Sequence, residues 1–110
     1  MNTIDELLVL EHQMEDFGLK WAEYSAEASR LDDMTKSVMS HIMLEHVGEP
    51  MNQREMRARA DERFVKHLEG TAAARSLANQ YRVRYDTVQA KIEIRRSLNA
   101  LNRAQIGLAR

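Results

Sequence analysis

The chain has 110 residues and a mass of 12.7 kDa, which suits one small domain and excludes a double-wound nucleotide-binding sheet or an α/β barrel. Apolar residues make up 44% and charged residues 30%, so a disordered chain is excluded, and the lack of cysteine excludes disulfides and thiolate metal sites. The net charge of −1 hides two opposite halves. Residues 1–50 carry eleven acids and three bases, whereas residues 51–110 carry six acids and thirteen bases.

The composition predicts an all-α fold. One proline, four glycines and six aromatic residues accompany many strong helix formers. The expected architecture is a long antiparallel helical hairpin with a short connecting helix, coiled-coil-like, within a single domain. No apolar run approaches ~20 residues, and acidic residues stand near the N-terminus where a signal peptide is basic. We therefore expect a cytoplasmic protein without a membrane segment.

The first predicted helix covers about residues 4–46 and begins at a Thr3–Glu6 capping box. Its apolar residues recur with a seven-residue period that is typical of a coiled-coil seam. The predicted oligomer interface consists of the seam residues Leu7, Leu10, Met14, Phe17, Trp21, Tyr24, Leu31 and Val38. A helix of this length spans ~60 Å and leaves seam exposed, which favours a homo-oligomer. The alternative is a monomeric bundle in which glycines break the long helices.

A stop signal follows the first helix, with Gly48 as a C-cap and Pro50 as a helix breaker. A short helix over about 52–59 is predicted from a capping box formed by Asn52 and Glu55. Asp61 is the predicted N-cap of a third helix over about 61–104. The apolar line of this third helix is less regular than that of the first and changes face near residue 95.

Catalytic and metal-binding patterns are weak. His41 and Glu45 share one helical face, but the chain has neither a His-Glu-x-x-His pattern nor a Gly-x-Ser-x-Gly turn. We expect no enzymatic activity, no catalytic residue, no metal site and no cofactor.

The basic half contains a more specific pattern. Arginines at positions 75, 82, 96, 103 and 110 follow a seven-residue ladder broken only at Gln89, and tyrosines lie among them. Repeated cations bind phosphates and aromatic rings stack on unpaired bases, so this pattern is typical of a single-strand binding surface. The predicted nucleic-acid-binding residues are Arg75, Tyr81, Arg82, Arg84, Tyr85, Lys91, Arg95, Arg96 and Arg103.

The same ladder has a structural interpretation. Arginines at heptad spacing, antiparallel to an acidic helix, can select that helix as a partner within the fold. In that case the positive and negative halves neutralise each other and the tyrosines pack in the core. An acidic protein partner is the third possibility.

Three stretches of the second half carry a resemblance: Ala60–Gly70, Ala90–Ala100 and Asn102–Ala104. Over roughly residues 24–105 the chain resembles short helical proteins of tailed bacteriophages and prophages that are encoded in DNA-recombination modules, some of them similar to UvsY-type recombination mediators. The resemblance implies a helical oligomer that binds single-stranded DNA and helps to load a recombinase in place of a single-strand binding protein. It places the DNA contact at Gln80–Asp86 and implies a phage protein made in a bacterial host.

The sequence therefore predicts a non-enzymatic phage recombination accessory that binds single-stranded DNA. The alternative is a coiled-coil protein-interaction module, such as an adaptor, an assembly chaperone or an inhibitor of a host protein, with no nucleic-acid binding.

Overall fold

The computed structural model describes residues 3–109, with side chains from 4 to 108. Helix α1 spans Thr3–Met43 and continues into a 3₁₀ turn at Leu44–His46, helix α2 spans Met51–Ala60, and helix α3 spans Glu62–Ala109. Residues 3–109 contain no strand, and the predicted all-α hairpin with a short connecting helix is confirmed. The Thr3 side chain of the predicted capping box and Arg110 of the ladder lie outside the described part.

The observed helix bounds lie close to those predicted, except that α3 continues five residues past 104. Gly18 and Gly70 both lie inside uninterrupted helices, so the alternative in which glycines break the long helices is wrong. Packing against a neighbouring ring explains why glycine occupies position 18. A Cβ atom there would lie 3.3 Å from Cε2 of Tyr85, so glycine lets this ring approach α1 closely.

Helix α1 ends where the sequence predicts, but the interactions that end it are different from those predicted. No glycine within residues 3–109 has a positive φ, so the interpretation of Gly48 as a left-handed C-cap is wrong. Instead α1 tightens into the 3₁₀ turn. The Arg54 guanidinium then donates hydrogen bonds to the carbonyl oxygens of Val47 at 2.9 Å and Glu49 at 2.7 Å, which satisfies acceptors in the turn.

The predicted capping box of α2 is also wrong. Pro50 is the N-cap, and its carbonyl accepts the N–H groups of Gln53 and Arg54. Asn52 already lies in the first turn, where its side chain accepts the neighbouring Gln53 N–H at 3.0 Å. Asp61 behaves as predicted for α3: its Oδ1 accepts the Arg63 N–H at 2.8 Å, the N-cap hydrogen bond of a helix start.

The described chain divides into two compact units. Unit 1 comprises residues 3–21 and 79–109, and unit 2 comprises residues 22–78. The single domain expected from length stays a prediction.

Three helices build the core of unit 2. Ile42 of α1, Ala58 of α2 and Phe64 of α3 are buried together, and Val38 and Met43 pack against them. Ala58 is fully buried because its small side chain lets α2 lie close to the other helices. The connecting helix α2 thus completes the hydrophobic core of unit 2.

Unit 1 contains only two helical segments, which pair antiparallel. Glu6, near the start of α1, contacts Arg95 of α3, whereas Trp21, later in α1, contacts Tyr85, which lies earlier in α3. Among the described residues of this unit only Val88 and Ile92 are buried. A two-helix pair covers one face of each helix, so the remaining apolar side chains of unit 1 stay accessible.

Candidate functional site

The two tyrosines predicted to stack on bases lie in the seam of unit 1. The ring of Tyr81 is 6.2 Å from that of Phe17, and the ring of Tyr85 is 5.5 Å from that of Trp21, measured between centroids. Both contacts are tilted, at 43° and 52°, and the four rings are half-buried. These tyrosines therefore contribute packing between α1 and α3, as the structural interpretation of the ladder expects.

Three of the predicted phosphate-binding arginines already have carboxylate partners. In unit 2, Arg75 forms an ion pair with Asp32. In unit 1, Arg95 lies 3.3 Å from a carboxylate oxygen of Glu6.

The third pair joins Arg96 to Glu11 at 3.2 Å, also in unit 1. Like the other two, it connects α3 to the acidic helix α1. These three cations are therefore engaged within the fold. Five of the six side chains are exposed and Glu6 is half-buried, so water screens all three pairs and each contributes little to stability on its own.

The other predicted cations have no ion pair among residues 3–109. Arg82, Lys91 and Arg103 are exposed and unpaired with any described carboxylate. Arg84 places its guanidinium carbon 4.9 Å from the centroid of the Tyr81 ring, which is a cation–π contact. Unit 1 therefore combines neutralised and unneutralised cations.

The basic residues of unit 1 do not form one stripe. Arg96 and Arg103 line a hollow together with Leu7, on one flank of α3. Lys91 and Arg95 line a groove on the opposite flank. Arg84 stands seven residues before Lys91 and so faces the same way. Arg84, Lys91 and Arg95 therefore lie off the line of the arginine ladder, because the helix turns them to the other side of the seam.

The seam residues themselves are half-buried within the chain. This set comprises Leu7, Leu10, Met14, Phe17 and Trp21 in unit 1 and Tyr24, Leu31 and Val38 in unit 2. Phe17 and Trp21 face tyrosines of α3, and Val38 packs against the unit 2 core. For these three residues the heptad pattern identifies the surface that pairs inside the chain. Their role as an interface between copies stays a prediction.

An open groove with a partly apolar lining lies between α1 and α3 in unit 1. Its volume is about 750 Å³, and Val9, Leu10, Ile94 and Leu98 form its apolar lining. Glu6, Lys91 and Arg95 supply its charges. We call this feature the unit 1 groove.

The apolar surface continues beyond the unit 1 groove on both helices. On α1 an adjoining hollow shares Val9 and extends to Leu8, and on α3 another shares Leu98 and extends to Leu101. The side chain of Ile94, which lines the groove and the α3 hollow, is 59% exposed. Apolar side chains from two helices thus form one accessible strip on a single flank.

Sequence reasoning missed this groove. The available signal was the change of face near residue 95, where Leu98 and Leu101 leave the line defined by Val88 and Ile92. The sequence pattern does not show which flank of α1 lies beside the flank of α3 that carries Leu98 and Leu101. Val9 is off the seam of α1, and only the pairing of the two helices places it beside Ile94.

The charges of unit 1 cancel when the helices pair. Its described residues include seven acids and seven bases, since the acidic start of α1 lies against the basic end of α3. Unit 2 contains ten acids and eight bases. The opposite halves of the sequence are therefore mixed in both units, and neither carries the large positive surplus that strong phosphate binding requires.

A cluster of one arginine and two carboxylates lies in unit 2, at the start of α3. The guanidinium of Arg63 donates to both carboxylate oxygens of Glu45, at 2.9 and 2.7 Å, and also to Asp61. Hydrogen bonds from Arg63 lower the pKa of Asp61 from 3.8 to about 2, and they lower the pKa of Glu45 as well. The bidentate pair ties the end of α1 to the start of α3.

No metal-binding cluster appears in the described residues. Within 4–108, no three His, Cys, Asp or Glu side chains converge on a common point. Glu45, which shares a face with His41, is engaged by Arg63 instead. His67 forms a hydrogen bond of 3.0 Å with the Thr35 hydroxyl, a contact between helices in unit 2. Across residues 3–109, no helix has the length and apolar character that crossing a bilayer requires.

Comparison with known proteins adds no relative. No protein-family model matches the chain, and no curated protein and no solved structure matches it either.

Proposed function

We propose that this chain is a non-enzymatic helical interaction module whose working surface is the unit 1 groove. The observation that carries the proposal is the exposed apolar strip to which both helices contribute, through Val9 on α1 and Ile94 and Leu98 on α3. Grooves between two packed helices receive the apolar face of a further helix by the same ridge-and-groove packing that joins the pair. The expected partner is therefore a protein helix.

Burial in unit 1 supports this function. With Val88 and Ile92 as its only buried residues in the described range, the unit keeps most of its apolar side chains accessible. Ten large apolar residues of this unit are exposed: Ile4, Leu8, Val9, Leu19, Val83, Ile94, Leu98, Leu101, Ile106 and Leu108. Five of them, Leu8, Val9, Ile94, Leu98 and Leu101, line the groove and the hollows that adjoin it, and a contiguous exposed apolar surface is typical of interaction sites.

A cross-linking experiment tests the proposal in the cells that naturally make the chain. A photo-activated cross-linking residue replaces Leu98, and the matched control replaces Leu44, an exposed leucine of unit 2 outside the groove. We expect one defined protein adduct from position 98, identified by mass spectrometry, and at most a trace of it from position 44. Absence of a protein adduct at 98, or equal adducts at both positions, would contradict the proposal.

Single-stranded DNA binding is a second candidate, favoured by one observation. Arg82 and Arg103 keep their guanidinium groups exposed and without a carboxylate partner among residues 3–109. The net charge of unit 1 argues for weak, salt-sensitive binding. The recombination role, the recombinase or single-strand binding protein as a partner, and the phage and cytoplasmic setting rest on the sequence resemblance and stay predictions.

The paired and unpaired arginines provide the test of DNA binding. At about 50 mM salt a labelled oligonucleotide should bind, and R82Q and R103Q should each weaken binding more than R75Q, whose guanidinium is already neutralised by Asp32. No shift at micromolar protein, or equal losses in all three variants, would eliminate this candidate.

A further inference from the structure

The internal ion pairs of unit 1 leave charge of opposite sign on its two helices. The α1 segment has five acids and one base, and the α3 segment has six bases and two acids. Their net charges of −4 and +4 become −2 and +2 once the pairs of Glu6 with Arg95 and of Glu11 with Arg96 are discounted. Glu15 and Asp16 on α1 have no ion pair among residues 3–109, and the same is true of Lys91 on α3. One helix therefore retains unused carboxylates and the other retains unused cations.

We infer that the occupant of the unit 1 groove is a second copy of this chain, bound through the same groove. This inference rests on the proposed function and names its partner. A second copy supplies an apolar strip of the same length, which covers Val9, Ile94 and Leu98. It also supplies cations for the unpaired carboxylates of α1 and carboxylates for the unpaired Lys91 of α3. An interface of this kind is isologous, so each contact occurs twice.

Charge selects one of two ways to join the copies. A two-fold axis perpendicular to the helices would lay α1 on α1 of the second copy and bring two acidic segments together. An axis parallel to the helices lays α1 on α3 of the second copy, so that acidic segments meet basic segments throughout. The second arrangement gives an antiparallel four-helix bundle with complementary neighbours.

This arrangement predicts a particular ion pair between copies. Lys91 lines the groove beside Val9 and Gln13, and Asp16 lines the adjoining hollow beside the same two residues. Asp16 follows Gln13 by three residues on α1, so Asp16 lies within about one helical turn of the level of Lys91. With the axis parallel to the helices, Lys91 of each copy faces the α1 segment that carries Asp16 in the other.

The first test measures self-association of the full chain. Sedimentation velocity from about 1 to about 300 µM should show a reversible monomer–dimer equilibrium. L98A should weaken dimerisation at least about thirtyfold, because a groove leucine is lost twice, whereas L44A should leave it unchanged. Both are leucine-to-alanine changes at exposed sites, and unchanged helical circular dichroism verifies that each variant folds.

The second test addresses the orientation. K91E and D16K should each weaken dimerisation about tenfold at low salt, because each replaces two attractions by two repulsions. The double variant K91E/D16K should return to within about threefold of the original chain. R59E, a reversal at an exposed arginine of unit 2, should leave dimerisation unchanged.

The outcomes separate this inference from the proposed function. A chain that stays monomeric at about 300 µM, an oligomer that L98A does not weaken, or a double variant without recovery overturns the second copy as the occupant. If the Leu98 cross-link in cells then joins a different protein, the interaction module stands and only its partner changes. If that cross-link fails as well, both conclusions fall.

Discussion

Unit 2 and unit 1 use the same two long helices but reach different degrees of burial. In unit 2, seven described residues are buried, and α2 closes the core around Ile42 and Phe64. In unit 1, two described residues are buried, and residues 3–21 and 79–109 supply only one segment of α1 and one of α3. The comparison shows what a third helix adds. Two helices alone can shield one face, so the apolar side chains on their flanks need a partner from outside the unit.

The largest effect should come from the unit 2 core. I42A removes a side chain that is 1% exposed and should lower the free energy of unfolding by about 2–5 kcal/mol. L98A in unit 1, measured on dilute chain, should cost less than about 1 kcal/mol because Leu98 is 47% exposed. Urea unfolding at low protein concentration measures both. Equal losses would show that unit 1 has a core of the same quality.

Acid should weaken unit 2 through Asp61 and Glu45. The pKa of Asp61 is lowered from 3.8 to about 2 by Arg63, so the folded chain binds fewer protons than the unfolded chain between these values. This contribution is fully present above pH 3.8 and is lost as the pH falls through about 2.

Thermal unfolding from neutral pH down to acid measures this dependence. The midpoint should fall by a few degrees more in the original chain than in R63Q, which lacks the donor. A pH dependence that R63Q leaves unaltered would show that the Arg63 cluster contributes nothing to the stability of unit 2.

Alanine substitution of one glycine in each unit compares the helix interiors of the two units. A Cβ atom at Gly70 meets nothing within 4 Å, so G70A should stabilise the chain by roughly 0.5–1 kcal/mol through helix propensity. A Cβ atom at Gly18 lies 3.3 Å from Cε2 of Tyr85, so G18A must displace that ring and should gain less. Thermal unfolding of the two variants provides the ranking. A larger gain from G18A would mean that the Tyr85 ring is not held against α1.

The smallest effect should come from the ion pairs of unit 1. R96Q removes the exposed pair with Glu11 and should change the free energy of unfolding by at most about 1 kcal/mol, and by less at high salt. Chemical unfolding at two salt concentrations measures this difference. A larger, salt-independent loss would indicate that Arg96 has a packing role that its exposure does not suggest.

Local sequence signals predicted the helices well. The seven-residue period runs through the half-buried residues of α1, and Asp61 caps α3 because its side chain can reach the second N–H of the helix. The end of α1 was predicted at the correct place but with the wrong mechanism, since Gly48 has no left-handed φ and Arg54 supplies the hydrogen bonds of the turn. Helix positions depend on nearby residues, whereas the details of a turn depend on side chains several positions away.

The candidate site was harder to predict because it depends on the pairing of distant residues. Spacing correctly places Arg96 and Arg103 on one line, but it cannot show that Glu11 neutralises the first of them. Spacing also cannot place Val9 next to Ile94, which are 85 positions apart in the chain. The groove exists only once the rotation of each helix about its axis is known.

Methyl NMR of the full chain at two concentrations tests the docking surface most directly. Ile94 in the unit 1 groove and Ile42 in the unit 2 core place the same residue type in both units. We expect the Ile94 methyl signals, with those of Leu98, to shift as the concentration rises through the dimerisation range, while the Ile42 signals stay in place. Ile94 signals that do not change with concentration, or Ile42 signals that shift equally, would contradict self-association through the groove.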